Sequence, residues 1–160
     1  YNGARVGNDA QRRRHTALRC DTERRVYIGD SPLVPEQPVS TLFVVENPVD
    51  AILLEQEGFP AVATLGVTVW DDTWTKWLRI CQVGYIAVAY DRDAPGNVGG
   101  SDALRDWQEQ HNGVRPPANG PKLVERLNRA GLRAGLFEWP HWARIGADMG
   151  DALRARRITA

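Results

Sequence analysis

Leu42-Phe43-Val44-Val45-Glu46-Asn47-Pro48-Val49-Asp50 changes its pattern half-way along, and that change sets the fold class. Leu42 to Val45 is an apolar, β-rich run without a polar break, as expected of a strand buried on both faces. It stops at Glu46. Asn47 then suits a helix N-cap, Pro48 the first helical position, and Asp50 the first turn, where the helix dipole favours a negative charge; Gly58 closes the helix. The local order is strand, acid, helix.

The same alternation continues toward the C-terminus. Pro60 to Leu65 reads as a second apolar strand ended by Gly66, and Thr68 with Asp71 resembles a capping box ahead of a helix from Val69 to Cys81. Trp70, Trp74, Trp77, Leu78 and Cys81 fall at helical spacing in that stretch and are read as core packing rather than a base-stacking stripe. Tyr85 to Tyr90 is a third strong strand, and it runs straight into Asp91-Arg92-Asp93-Ala94-Pro95-Gly96. Residues 97–120 read as an insertion, with a short helix from Ser101 to Gln110 and a Gly/Pro-rich loop through Arg115-Pro116-Pro117. Pro121 opens a helix whose Leu123, Val124, Leu127 and Ala130 share one face; Gly131 ends it before a strand from Leu132 to Phe137. Gly146-Ala147-Asp148-Met149-Gly150-Asp151-Ala152-Leu153 leads into a last helix, and residues 154–160 form a basic tail with Arg154, Arg156 and Arg157.

Toward the N-terminus the pattern dissolves. Residues 1–40 are an Arg- and Pro-rich leader, with Arg12, Arg13 and Arg14 in a row, a short edge strand at Arg25-Val26-Tyr27-Ile28-Gly29, and an extended connector through Pro32, Pro35 and Pro38. The expected architecture is α/β, with about four mainly parallel strands flanked by helices in a Rossmann-like arrangement over residues 41–153.

Composition narrows the function classes. The chain has 160 residues, 42% of them apolar and 25% charged, which suits one globular domain with a real core. No apolar run approaches the roughly 20 residues that span a bilayer, and Tyr1-Asn2-Gly3-Ala4-Arg5 lacks the order of a signal peptide, so a soluble, cytoplasmic protein with no membrane partner is expected. The start at Tyr1 rather than Met reads as a cut point in a longer protein. Cys20 and Cys81 make no disulfide framework and have no second ligand at zinc spacing. No Gly-x-x-x-x-Gly-Lys-Ser/Thr phosphate loop is present, so the chain is not itself an ATPase motor.

Twenty bases and twenty acids cancel, but unevenly along the chain: residues 1–30 carry seven Arg against four acids, 31–110 twelve acids against four bases, and 111–160 nine bases against four acids. An acidic centre between basic ends suits a metal-binding pocket beside a surface that binds a polyanion.

Right-handed crossovers bring the carboxyl ends of parallel strands to one edge, where ligands bind in open α/β sheets. Glu46 and Asp91 each follow a buried strand, so topology alone converges them, and Asp93 can turn back into the same pocket. Gathered carboxylates repel unless protonated or neutralised, and a hard divalent cation is the usual neutraliser. Mg2+ keeps several waters and binds through one or two carboxylates plus substrate phosphates, which fits an Asp-x-Asp pair; Mn2+ is the alternative.

With these residues in view, the chain resembles the TOPRIM family, shared by bacterial primases, type IA and type II topoisomerases, some nucleases and recombination proteins. Leu42-Phe43-Val44-Val45-Glu46 with Asp50, and Ala89-Tyr90-Asp91-Arg92-Asp93-Ala94-Pro95-Gly96, carry the match. Ala63-Thr64-Leu65-Gly66 looks like the second strand and turn of primase TOPRIM domains, and Asp148-Met149-Gly150-Asp151-Ala152-Leu153 like the late Asp-rich motif of primases and of phage or plasmid primase-helicases. The resemblance implies that Asp91 and Asp93 bind magnesium, that Glu46 is a general acid or base or a further ligand, and that Asp50, Asp148 and Asp151 are accessory acids. Asn47 stands where the family usually has glycine, and Gly150 where primase-helicases often have asparagine.

The activity implied by the resemblance is that of a Mg2+-dependent nucleotidyltransferase of DNA replication, the catalytic domain of a DNA primase or primase-helicase-like protein. Its partners would be a DNA template, nucleoside triphosphates, an RNA product, and a helicase or other domains of the same protein. A metal-dependent TOPRIM nuclease would use the same acids, and a non-catalytic nucleic-acid-binding or assembly module would keep the fold alone. A topoisomerase needs a tyrosine nucleophile, for which Tyr90, in a buried strand, is ill placed. A receiver-like domain would need a Lys after a late strand, where this chain has Glu138-Trp139.

Overall fold

The computed structural model describes residues 37–65, 70–93 and 118–158, with the single positions 33, 35, 109 and 112. The expected edge strand at 25–29 and nearly all of the 97–120 insertion lie outside the described residues; of its short helix only Glu109 is described, and it is helical. Among those described, strands and helices alternate: β1 (Thr41–Val45), α1 (Pro48–Gln56), β2 (Ala61–Ala63), α2 (Asp72–Ile80), β3 (Tyr85–Val88), α3 (Asn119–Arg129), β4 (Ala134–Leu136) and α4 (Met149–Ile158). The four strands form one parallel sheet ordered β2-β1-β3-β4, with Val44 opposite Val62 on one side and Val88 on the other.

This order dictates where the helices lie. The chain moves one way along the sheet from β1 to β2, and the other way from β2 to β3 and from β3 to β4. Right-handed crossovers in opposite directions place their helices on opposite faces, so α1 belongs on one face and α2 and α3 on the other. The packing agrees. Leu42, Val44, Ile86 and Val88 form one core with Leu78 of α2 and Leu123 and Leu127 of α3. Val45, Ala61 and Ala63 form a second with Ala51 and Leu54 of α1 and Met149 of α4. Successive strand residues point to opposite faces, which divides β1 between the two cores. Leu42, Val44 and Val45 are all 0% exposed, as an unbroken apolar run requires. Burial on this scale stabilises by roughly 1.5–3 kcal/mol for each large side chain.

Several boundaries differ from the sequence expectation. The second strand keeps only Ala61–Ala63, and Leu65 adopts φ +57°, a left-handed conformation that ends extended pairing. Asp71 is itself the N-cap of α2, its Oδ1 accepting from Thr73 N at 2.6 Å, so the helix starts at Asp72 rather than Val69. Trp70 therefore precedes α2; it is buried and its indole donates to Thr75 Oγ1 at 3.0 Å, whereas Trp77 is 37% exposed and not core. α3 begins at Asn119, two residues ahead of Pro121, which sits within the first turn, where a missing N–H costs nothing.

The β4 edge is closed by a side chain. Asn128 of α3 donates Nδ2 to Ala134 O at 3.0 Å and accepts from Ala134 N at 2.9 Å, so an amide stands where another strand would pair. Beyond β4, Trp139, Ala143 and Ala147 form a third small cluster beside the carboxyl edge of the sheet. No helix among the described residues is long and apolar enough to cross a membrane.

Candidate functional site

β1 and β3 are neighbours whose following connections depart in opposite directions, so the crevice at their carboxyl ends is the switch point of the sheet. Glu46 follows β1 directly. Ala89 N donates to Val44 O at 2.8 Å, which keeps the chain after β3 alongside β1 and brings Asp91 to the same place. The Asp91 backbone N–H donates to the Glu46 carboxylate, while Glu46 Oε1 is buried without a hydrogen-bond partner among the described residues. Asp93 N donates to Asp91 O at 2.7 Å, a three-residue turn that folds the second aspartate back toward the first.

The other predicted acids arrive on helix starts. Asn47 caps α1 through Oδ1, accepting from Val49 N at 2.8 Å and Asp50 N at 3.2 Å, and donates Nδ2 to Asp50 Oδ2 at 2.6 Å. Asp50, only 2% exposed, also accepts from Gly150 N at 3.1 Å in the first turn of α4. Asp148 caps α4, with Oδ1 accepting from Asp151 N at 2.7 Å. Two helix N-termini therefore face the acidic edge, and their partial positive charge offsets some of its negative charge. A Cβ added to Gly150 would lie 3.2 Å from Asp148 Oδ1 and from Leu53 Cδ1, and 3.5 Å from Asp50 Oδ1. Glycine lets α4 close on α1 here.

Glu46, Asp50 and Asp91 each feel the charges of other predicted acids. Burial, and then the charges of Asp91 and Asp93, push Glu46 from an ordinary 4.5 to about 8. Burial, and then Asp50, Asp93, Asp148 and Asp151, raise Asp91 to about 7. Asp50 rises to about 6, through burial first and Asp148 next, with the Gly150 N–H pulling the other way. Burial also pushes Tyr90 up to about 12. The neighbouring Thr64 hydroxyl, which donates to Val45 O at 3.3 Å, lowers that value without forming a well-aligned bond, so Tyr90 Oη stays buried and unpaired. A phenol 0% exposed cannot reach a phosphodiester, as its place in the sequence predicts.

Basic groups border this edge. Arg154 Nη2 lies 2.8 Å from Asp151 Oδ1 and 4.0 Å from Asp148 Oδ1, and Arg144 Nη2 lies 3.7 Å from Asp151 Oδ2, both guanidiniums largely exposed. Arg154 thus belongs to α4 and to the rim of the site, although in the sequence it reads as the start of a basic tail; its offset of three from Asp151 is the signal that marks it. Arg92, between the two aspartates of the motif, is buried. Its position between exposed-looking acids gives no hint of that.

Comparison of the chain with protein families, with curated proteins and with solved structures finds no significant match in any of the three. The chemistry of the edge is therefore read from its own donors. They are all carboxylate oxygens, suited to a hard cation. Among the described residues no three His, Cys, Asp or Glu side chains stand together as ligands to one ion. An ion bound mainly through an Asp-x-Asp pair, water and substrate phosphate does not require such a cage, and the orphaned Glu46 Oε1 is an acceptor without a donor.

Proposed function

We propose that this chain is the catalytic TOPRIM domain of a primase or primase-helicase-like replication protein, joining nucleotides on a nucleic-acid template with Mg2+. The observation that carries the reading is the convergence of Glu46, Asp50, Asp91, Asp93, Asp148 and Asp151 on one sheet edge, at the switch point where α/β folds bind ligands.

Asp91 and Asp93 would hold the ion, with Glu46 beside them and Asp50, Asp148 and Asp151 as accessory acids. Bound there, magnesium supplies charge neutralisation and orientation for phosphate oxygens in an in-line displacement. Glu46 moves the proton. Burial and the charges of Asp91 and Asp93 raise its pKa above that of an ordinary carboxylate, and an ion held by those aspartates would offset their share of the rise. Asp50, with both oxygens already hydrogen-bonded, serves by fixing α1 against α4. Arg144 and Arg154 stand where phosphates of a template or a nucleoside triphosphate would pass, and guanidiniums bind phosphate well. A metal-dependent nuclease would use the same acids with water in place of the attacking hydroxyl.

Template-directed ribonucleotide incorporation and release of labelled nucleotides from a DNA strand, with Mg2+ or Mn2+, separate these readings. Incorporation by the wild type that is lost in Asp91→Ala, Asp93→Ala supports a primase. Release without incorporation moves the assignment to a nuclease. Nucleic-acid binding without either reaction, indifferent to Mg2+ and to Glu46→Gln, identifies a non-catalytic module.

A further inference from the structure

Arg92 stands between the two acids that would hold the ion, yet its side chain turns elsewhere. It is 9% exposed, and its Nη1 donates to the backbone carbonyl of Ala143. Its main chain meets the same segment: Arg92 N donates to Ala147 O at 2.9 Å, and Arg92 O accepts from Gly146 N at 2.8 Å. One residue at the end of β3 is thus tied by three hydrogen bonds to the connection between β4 and α4. The guanidiniums of Arg144 and Arg154 stay largely exposed, whereas that of Arg92 is buried. Burying Arg92 even leaves Nε without a hydrogen-bond partner among the described residues.

The tied segment leads directly to acids of the site. Ala143 and Ala147 are buried against Trp139, whose indole donates to Tyr90 O at 3.2 Å. Asp148 follows Ala147 and caps α4, and two residues on Gly150 N bonds Asp50. We propose that Arg92 is a positioning residue: by holding residues 143–147 against the end of β3, it sets Asp148 and Asp151 opposite Asp91 and Asp93. Its consequence for ion binding rests on the metal-dependent reading above; the placement of α4 does not.

The test compares the wild type with Arg92→Met, which keeps the bulk of the stem and loses the donor, and with Arg92→Lys, which keeps a donor. Hydrogen exchange is followed at the amides of Gly146, Gly150 and Asp151, and binding of Mg2+ alone is measured by calorimetry. In Arg92→Met the three amides exchange about 10-fold or more faster, and Mg2+ affinity falls about 10-fold or more, the usual effect of losing a group that orients metal ligands. Arg92→Lys recovers most of both.

Unchanged exchange in a folded Arg92→Met overturns the proposal. Faster exchange with wild-type Mg2+ affinity also overturns it, since Arg92 then holds a loop that does not set the acids. A wild type that binds no Mg2+ either alone or with DNA present refutes the metal-dependent reading instead, and exchange at Gly150 and Asp151 still decides whether Arg92 places α4. If Arg92→Met does not fold, a folded Arg92→Lys with wild-type exchange supports the donor role. Failure of both variants to fold overturns it, because Arg92 then supports the whole fold rather than one segment.

Discussion

Glu46 and Asp50 are carboxylates four residues apart in one strand-to-helix unit, and the fold uses them in opposite ways. Asp50 has a donor on each oxygen, one from Asn47 and one from α4. Glu46 receives the Asp91 N–H but keeps Oε1 buried and unpaired, and its pKa rises further than that of Asp50. Both suffer burial and like-charge neighbours and each gains one backbone N–H; Asp50 has in addition the Arg154 charge, which holds its pKa lower. A satisfied acid holds structure together, whereas an unsatisfied one stores repulsion that a cation or a proton relieves.

The sharpest way to break this contrast is to neutralise each acid in turn. Glu46→Gln is expected to reduce phosphoryl-transfer activity by about 10²–10⁴-fold, the range for a lost acid–base group. The same change should stabilise the fold at neutral pH in the absence of divalent ions, by an amount on the order of 1 kcal/mol. Activity assays and thermal denaturation on one preparation check both, and a destabilised Glu46→Gln would mean that its charge is satisfied after all. Asp50→Ala should do the reverse in stability, losing about 2–3 kcal/mol as the Gly150 N–H and the Asn47 amide lose their shared acceptor. Chemical denaturation measures this; a loss below about 0.5 kcal/mol would remove Asp50 from its structural role.

The pH dependence sharpens the contrast further. Glu46, Asp91 and Asp50 all have folded pKa values above their unfolded ones, so the folded state binds their protons more tightly. Their contribution is most favourable below pH 4 and is lost as pH rises, through about 6 for Asp50, 7 for Asp91 and 8 for Glu46. Melting temperature in EDTA should therefore fall between pH 5 and pH 8, less steeply in Glu46→Gln, and Mg2+ should flatten the curve. An identical slope in Glu46→Gln would show that Glu46 does not titrate in this window. The smallest effect expected is that of Gly150→Ala. A Cβ there crowds Asp148 Oδ1 and Leu53, against which the better helix propensity of alanine acts, leaving a net loss of about 1 kcal/mol or less. Comparing its denaturation with that of Asp50→Ala shows whether the α1–α4 contact depends more on close approach or on the hydrogen bond.

Much of this was legible along the chain. The unbroken Leu42–Val45 run announced a strand covered on both faces, and Asn47-Pro48 announced a helix start; both depend on residues within one turn of each other. The acids Glu46 and Asp91 could be paired because parallel topology brings strand ends together whatever the loop between them. The weaker expectations concerned ends of elements. Asp71 and Thr68 compete to cap the same helix, and only one geometry satisfies the first free N–H groups. Trp77 shares its spacing with buried neighbours but lies on the outer side of α2, because periodicity marks a face without saying how wide the core beneath it is.

Periodicity, caps and the order of strand, acid and helix therefore belong to the chain itself, since they rest on sterics and hydrogen bonds between near neighbours. Which carboxylate is satisfied and which is not had to await packing. Asp50 meets Gly150 across 100 positions, and Arg92 meets Ala143 across 51. Contacts at such separations form only after the sheet has assembled and two cores have closed on its faces, and no local pattern of residues records which donor will then arrive.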